Sequence, residues 1–254
     1  MCYTAEAQTK AAIKYAQHKS FDAAIIKKLQ LKLETLSYTP FYHVSGFAHP
    51  KILVFTDAEP LEPKLFHWGL IPSWTKDEEG AKKIINQTLN ARGETIFEKP
   101  AFRTSAKNKR CLVYLDAFYE HHHFNGKTFP FRIAMKDDSP MAIAGLWEEW
   151  ANPKGSGEII QTFSIVTTTG NPIMAKIHNN PKLDGPRMPV ILPKEKQDEW
   201  LNAAASQNEL ESLLKPIDGS LLEYHTVGKL LGKNAIGNIP EAEQKVKYIE
   251  IDWA

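Results

Sequence analysis

Asn125-Gly126 separates two runs of alternating texture, and this dipeptide suits the two-residue turn of a β-hairpin, whose central positions both call for positive φ. The reading is a hairpin with strands over 117–124 and 128–135. Further strands are predicted over 110–115, 141–146 and 159–167, the last two separated by a polar turn at 152–157. The middle of the chain is therefore expected to be antiparallel sheet, and everything else has to pack around it.

On the N-terminal side, helices are predicted over 6–18 and 22–36. In the second, Ile25, Ile26, Leu29, Leu33 and Leu36 recur at helical spacing between lysines. Pro40, Gly46 and Pro50 then punctuate a loop that leads to strands at 52–55 and 64–68. A helix is expected over 77–87 and a short one over 98–107. Asn171-Pro172 opens one or two helical turns that deliver His178. A loop at 179–186, a strand at 187–192, helices near 194–204 and 207–215, and closing strands near 222–227 and 245–252 complete the chain. No repeat or long linker interrupts the 254 residues, so one α+β domain is the economical reading.

A net charge of +1 excludes a strongly basic coat, so contact with nucleic acid has to rest on a local patch of Lys and Arg. The N-terminus lacks the apolar core of a signal peptide, and no run approaches the roughly 18 to 20 apolar residues of a membrane span. Two cysteines, Cys2 and Cys111, are read as reduced and the compartment as intracellular. Cys111 lies in an apolar strand, as a small buried hydrophobe would.

Cys2 is chemically distinctive. If Met1 is removed, it carries an α-amine and a thiol on adjacent carbons, a pair that condenses with an aldehyde to a thiazolidine. An α-amine titrates at about 7.7–8.0 against about 10.4 for lysine, so far more of it is free base at neutral pH. The ordinary reading, a cysteine that happens to be second, stands beside this one.

Other polar groups divide the same way. Glu120 sits among apolar neighbours in Phe118-Tyr119-Glu120, where burial would raise its pKa and suit it to proton transfer; a water-facing strand glutamate is the commoner case. Asn90, Arg92 and Glu94 would share one face of an extended segment, as a solvent edge or as a ligand-binding set. Trp68 and Trp74 flank an apolar turn, as core or as stacking faces for a base. His121-His122-His123 alternate across a strand with no ligand partner at a familiar spacing, and neither a metal nor a cofactor is expected.

Met1-Cys2, Trp68-Gly69-Leu70-Ile71-Pro72-Ser73-Trp74, Asn90-Ala91-Arg92, Arg110-Cys111-Leu112-Val113, Phe118-Tyr119-Glu120, Phe163 to Thr168, and Ile177-His178 followed by Arg187-Met188-Pro189-Val190-Ile191-Leu192 resemble, in that order, the SOS response-associated peptidase family. The likeness runs over about residues 1–200, within a single domain spanning 1–254. It implies a strongly curved, barrel-like antiparallel β-sheet flanked by helices. It also implies a monomeric, cytoplasmic protein that shields abasic sites in single-stranded DNA through a covalent crosslink to Cys2, with autoproteolytic removal of Met1 and lyase-like chemistry. On this resemblance Cys2, Asn90, Glu120 and His178 are catalytic. Glu120 moves protons, His178 is a second shuttle titrating near neutrality, and Asn90 holds the amine or the sugar. Arg92 and Arg187 clamp phosphates, and Trp68 stacks on a base. The chain departs from the family's commonest pattern at Tyr3, Thr4, Ala117 and His121, and 179–186 reads as an insertion. Two other classes stay open: an N-terminal-cysteine glutamine amidotransferase, and a non-covalent single-stranded DNA-binding module.

Overall fold

A computed structural model describes residues 2–7, 22–36, 38–153, 155, 157–251 and 253. Its regular elements are β1 (Thr4–Ala7), α1 (Ala23–Thr35), β2 (Phe41–Ser45), β3 (Lys51–Thr56), β4 (Lys64–Trp68), α2 (Glu78–Ile84), β5 (Asn90–Arg92), α3 (Arg103–Asn108), β6 (Arg110–Leu115), β7 (Ala117–Phe124), β8 (Lys127–Met135), β9 (Met141–Ala151), β10 (Ile159–Thr169), α4 (Pro172–Ile177), β11 (Arg187–Pro189), α5 (Gln197–Leu201), α6 (Gln207–Ser212) and β12 (Leu222–Thr226). Among the described residues, no helix is long and apolar enough to cross a membrane.

The hairpin forms as its turn chemistry dictates. Asn125 and Gly126 take φ of +48° and +72°, and the β7–β8 register runs unbroken from Phe124↔Lys127 to Ala117↔Ala134. Around it lies a five-stranded sheet in the order β12-β8-β7-β1-β2. A second sheet runs β10-β4-β3-β6-β9 and closes on itself, because β9 also pairs with β10. This barrel is mixed, since β10 runs parallel to both β4 and β5. The fold is a single α+β domain.

Alternation along the barrel strands explains why β6 is buried at every position. Cys111, Val113 and Leu115 point into the cluster shared with the five-stranded sheet, whereas Leu112 and Tyr114 point into a second cluster that holds Leu29 and Leu33 of α1, Trp200 of α5 and Leu210 of α6. Cys111 leaves no room beside it. A Cβ added at Gly145 on the paired strand would come within 2.7 Å of its sulfur.

Three readings of the sequence change. Glu6 and Ala7 belong to β1 rather than to a helix over 6–18, because the backbone there pairs with β7; residues 8–18 of that expectation lie outside the described residues. The stretch at 41–45, read as loop, is the edge strand β2, its boundaries disguised by Pro40 and Gly46. Of the strand expected over 245–252, the described residues 245–251 form none. They make one isolated bridge, Val227↔Lys245, and then follow turns, with Tyr248 capped by the Val227 carbonyl at 2.8 Å.

Candidate active site at the chain start

β1 pairs antiparallel with β7 through Thr4↔Tyr119, and the Thr4 hydroxyl donates to the Tyr119 carbonyl at 3.1 Å. This register carries the residues just before Thr4 alongside Glu120. Cys2 is fully buried, its thiol directed at the Thr4 carbonyl with Sγ 3.7 Å away. Burial pushes the Cys2 thiol up, and the nearby Glu120 charge pushes it the same way. The sulfur is thus held as a neutral thiol.

Glu120 is itself 7% exposed, and burial raises its carboxyl to about 7. It is therefore poised to give or take a proton at neutral pH. His178 Nδ1 lies 3.8 Å from Glu120 Oε1. Fifty-odd residues apart in sequence, these two meet because α4 is bolted to β7. Asn171 caps α4, with Oδ1 accepting from Met174 N at 3.0 Å, while its amide donates to the Ile217 carbonyl. At the other end, His122 Nδ1 lies 2.9 Å from the Lys176 carbonyl. Asn179 binds His123 reciprocally, its Oδ1 accepting from His123 N at 2.7 Å and its Nδ2 donating to His123 O at 3.0 Å.

His178 differs from expectation in one respect. Burial pulls its pKa down to about 4 rather than leaving it near neutrality. At pH 7 it is a neutral imidazole whose Nδ1 lies 3.1 Å from the Arg187 carbonyl and 3.4 Å from the Arg187 backbone nitrogen.

Asn90 is 8% exposed on β5, and among the described residues neither its Oδ1 nor its Nδ2 has a hydrogen-bond partner. A buried amide without partners costs stability unless something binds it, so Asn90 has the character of a ligand group. Its neighbour Leu89 accepts a 2.9 Å hydrogen bond from Trp68 Nε1. Gly46 packs on the Trp68 ring, where an added Cβ would sit 3.1 Å away and push the ring by a few tenths of an ångström; Gly46 N donates to the Tyr3 carbonyl at 2.7 Å. Trp68 thus ties the Asn90 strand to the chain start. It is fully buried and offers no face to a base, so the stacking role expected of it is corrected to a structural one. The exposed ring is Trp74, at 56%, in a groove of about 420 Å³ lined also by Asn90, Arg92, Lys99 and Phe102.

A larger cleft, of about 460 Å³, lies between the β7–β8 turn and the tail and includes His121, Lys127, Lys229 and Glu250. It holds none of Cys2, Asn90, Glu120 and His178, so volume does not locate the chemistry here. Among the described residues, no three metal-ligating side chains converge.

The model of the family described as SOS response associated peptidase (SRAP) matches residues 3–234. The chain belongs to this family. This SRAP chain is 38% identical over 206 residues to the abasic site processing protein YoqW of Bacillus subtilis, covering 80% of this chain and 85% of that one. To the abasic site processing protein HMCES of Xenopus tropicalis it is 30% identical over 231 residues, 80% of this chain and 65% of that one. A crystal structure of a protein from Bacteroides thetaiotaomicron superposes with a TM-score of 0.82 at 33% identity, covering 97% of this chain and 100% of the other.

The two arginines of the SRAP chain part company. Arg92 is exposed beside Asn90, as a phosphate contact has to be. Arg187 is 7% exposed and turned inward, its guanidinium gripping both Glu94 oxygens at 2.6 and 2.9 Å and the Thr167 carbonyl at 2.9 Å. Its expected phosphate-clamp role is corrected accordingly, because both terminal nitrogens are already taken and the group is buried. Arg187→Ala is expected to lower Tm by about 4–8 °C, the effect of losing about 2 kcal/mol from a pair whose carboxylate is half in water. Arg92→Ala is expected to leave Tm unchanged and to reduce the salt dependence of DNA binding by about one counterion. A salt slope that falls in the Arg187 variant instead would return that residue to the DNA surface.

Proposed function

We propose that this SRAP chain acts on abasic sites in single-stranded DNA, linking the exposed aldehyde to Cys2 once Met1 is gone. The observation that carries the reading is Glu120, buried and raised to about 7, beside His178 on the strand that pairs with the segment bearing Cys2. The relatives named as abasic site processing proteins point to the same substrate.

The steps balance without a cofactor. The Cys2 amine adds to C1′ of the ring-opened deoxyribose, giving a carbinolamine. Glu120 in its acid form donates a proton to the departing hydroxyl, and water leaves as the imine forms. The thiol then adds to the imine carbon, its proton passing to the imine nitrogen, and the five-membered thiazolidine closes. Amine, thiol and aldehyde together lose one water.

Burial of the thiol fits this order. A neutral thiol is a poor opening nucleophile, so the amine attacks first and the sulfur closes a ring within reach, with the advantage of an intramolecular step. The same burial works against the amidotransferase reading, in which the thiol itself has to attack an amide. Asn90 would hold the sugar or the amine, and neutral His178 would accept a proton during ring opening. Arg92 would contact a phosphate, and Trp74 rather than Trp68 would stack on a base. Release of Met1 by the chain itself, and strand cleavage from the imine before the ring closes, draw on the same groups. We take the working form to be a cytoplasmic monomer.

The test is incubation of Met1-processed protein with single-stranded DNA carrying one abasic site, read by denaturing electrophoresis and intact mass. The expected product has the mass of protein plus DNA minus one water. It is absent when Met1 is retained or when methoxyamine caps the aldehyde. Processed protein that leaves abasic DNA unshifted would sink the covalent reading and leave non-covalent binding to be measured.

A further inference from the structure

Trp253 belongs to the segment that follows residue 234, where the match to the family model stops, and the chemistry above does not use it. That segment is fastened to the five-stranded sheet before it reaches this ring. Val246 N donates to the Thr226 carbonyl at 2.9 Å, and the Thr226 hydroxyl donates to the Val246 carbonyl at 2.6 Å. The Tyr248 ring meets Phe129 of β8 edge to face, with centroids 5.1 Å apart, and Glu250 pairs with Lys127 at 2.8 Å. Ile251 is buried in the core cluster that also holds Cys2.

Four elements meet at the Trp253 ring. It stacks on Phe131 of β8, with centroids 5.3 Å apart and an interplanar angle of 13°. It stands edge-on to His122 of β7 at 5.1 Å and lies 6.4 Å from Tyr224 of β12. From α4 the Lys176 ammonium comes over the ring, 3.8 Å from its centroid, in a cation–π contact. These partners surround the reacting groups. Phe131 lies directly opposite Glu120 in the β7–β8 register, His122 is two positions further along the same face of β7, and Lys176 is two residues before His178. Trp253 therefore packs against the supports of both Glu120 and His178.

α4 depends on such supports. A helix of six residues does not hold itself in water, so its contacts with the rest of the fold have to hold it. Met174 and Ile177 bury its inner face, and the carbonyl of Lys176 lies 2.9 Å from His122 Nδ1. His122 thus bonds to the α4 backbone while its ring meets Trp253, and the side chain of the same Lys176 closes over Trp253 from the helix side. We infer that Trp253 is a positioning residue for the crosslinking chemistry: through Lys176 and His122 it fixes α4 against β7 and so sets where the His178 ring stands beside Glu120. The inference rests on the reading of the site as one that links abasic DNA to Cys2.

The test compares Trp253→Ala and Trp253→Phe with the parent, all Met1-processed. Crosslinking at saturating single-stranded abasic DNA gives the rate of the chemical step. Fluorescence anisotropy on a strand carrying tetrahydrofuran, an abasic analogue without an aldehyde, gives Kd in the absence of chemistry. Trp253→Ala is expected to slow crosslinking about 10- to 100-fold, the scale of a misplacement of about 1 Å, and to leave Kd within about twofold of the parent. Trp253→Phe keeps a π-face for Lys176 and a ring for Phe131, and is expected to restore the rate to within about threefold. In a His178→Ala background, Trp253→Ala is expected to cost nothing further, because two changes that act through one group do not add. Hydrogen exchange reads α4 without DNA. The His178 amide, bonded to the Met174 carbonyl at 2.7 Å, is expected to exchange at least about tenfold faster in Trp253→Ala, while the β6 amides stay as protected as in the parent.

An unchanged crosslinking rate would overturn the inference, as would a Phe variant as slow as the Ala variant or a loss of the same size with and without His178. A Kd that rises in step with the lost rate would make Trp253 a DNA contact instead. Loss of protection in β6 as well as α4 would make it a determinant of the whole fold, and His178 amide exchange equal to the parent's would free α4 from it; either result overturns the assignment. Failure of the underlying reading has a different signature. The parent itself would then leave an aldehyde-bearing strand uncrosslinked, and the exchange comparison would still decide whether Trp253 holds α4.

Discussion

Replacing Cys2 with Ala is expected to remove the heat-stable crosslink to abasic DNA while leaving one that borohydride can trap. Alanine keeps the α-amine, and the amine alone is enough to add to an aldehyde and lose water. What disappears is the sulfur that would close the ring. The imine then stays open to hydrolysis, because effective concentrations of about 10⁵ M or more belong only to a nucleophile held on the adjacent carbon. Stable product is therefore expected to fall by at least about 10³-fold, and reduction during the incubation is expected to recover a covalent species by fixing the imine as a secondary amine. The variant is expected to fold. Cys2 is fully buried but small, and removing one sulfur costs about 1 kcal/mol. A heat-stable adduct formed equally well by the Ala variant would move the chemistry to another amine, a lysine among them. Loss of both the stable and the reducible species would mean that the aldehyde does not reach the chain start at all.

What was legible in the sequence follows from how local each signal is. The hairpin at Asn125-Gly126 needed only its own residues, because positive φ at two successive positions is a property of that dipeptide. Strands β6 to β10 were visible for a related reason, being long apolar runs separated by turn residues. Closure of the barrel was not visible. It depends on β4 lying parallel to β10, a pairing that spans about 95 residues and leaves no mark on either segment.

The site shows the same division. Cys2 declares its chemistry by position alone. Glu120 among apolar residues could be read as a buried acid, but its meeting with His178 depends on α4 and was reached only through the family resemblance. Trp68 and Trp74 could not be told apart, since both flank the same apolar turn; only the packing of Gly46 on one ring makes it core. Arg187 looked like any free guanidinium because its partner, Glu94, lies 93 positions away. Charge says which residues can bind a phosphate, and the partners they have already taken say which of them are engaged elsewhere.

Glu120→Gln is expected to slow crosslinking by about 10²–10⁴-fold, the range for loss of a positioned proton donor, and to change the shape of the pH profile. Two groups set the parent's profile. The Cys2 amine has to be free base, which costs rate below its pKa of about 7.7–8.0. Glu120 has to be protonated to help the hydroxyl leave, which costs rate above about 7. The rate is expected to peak between pH 7 and 8, falling on both sides. Glutamine cannot titrate, so the alkaline limb is expected to disappear and the acid limb to remain. Stability is expected to move in the opposite direction to rate. A carboxyl raised from 4.5 to about 7 by burial binds its proton more tightly in the folded chain, so its contribution is full below about pH 4.5 and is lost as pH rises through 7. Gln imposes no such penalty, and the variant is expected to be more stable than the parent at pH 8 by up to about 3 kcal/mol, with no gain at pH 4. Denaturant midpoints at the two pH values would measure the difference. A slower enzyme that is also more stable in alkali is the signature of a carboxylate buried for its chemistry. A variant that is slower and less stable at both pH values would instead make Glu120 a packing residue, and the proton donor would have to be sought elsewhere.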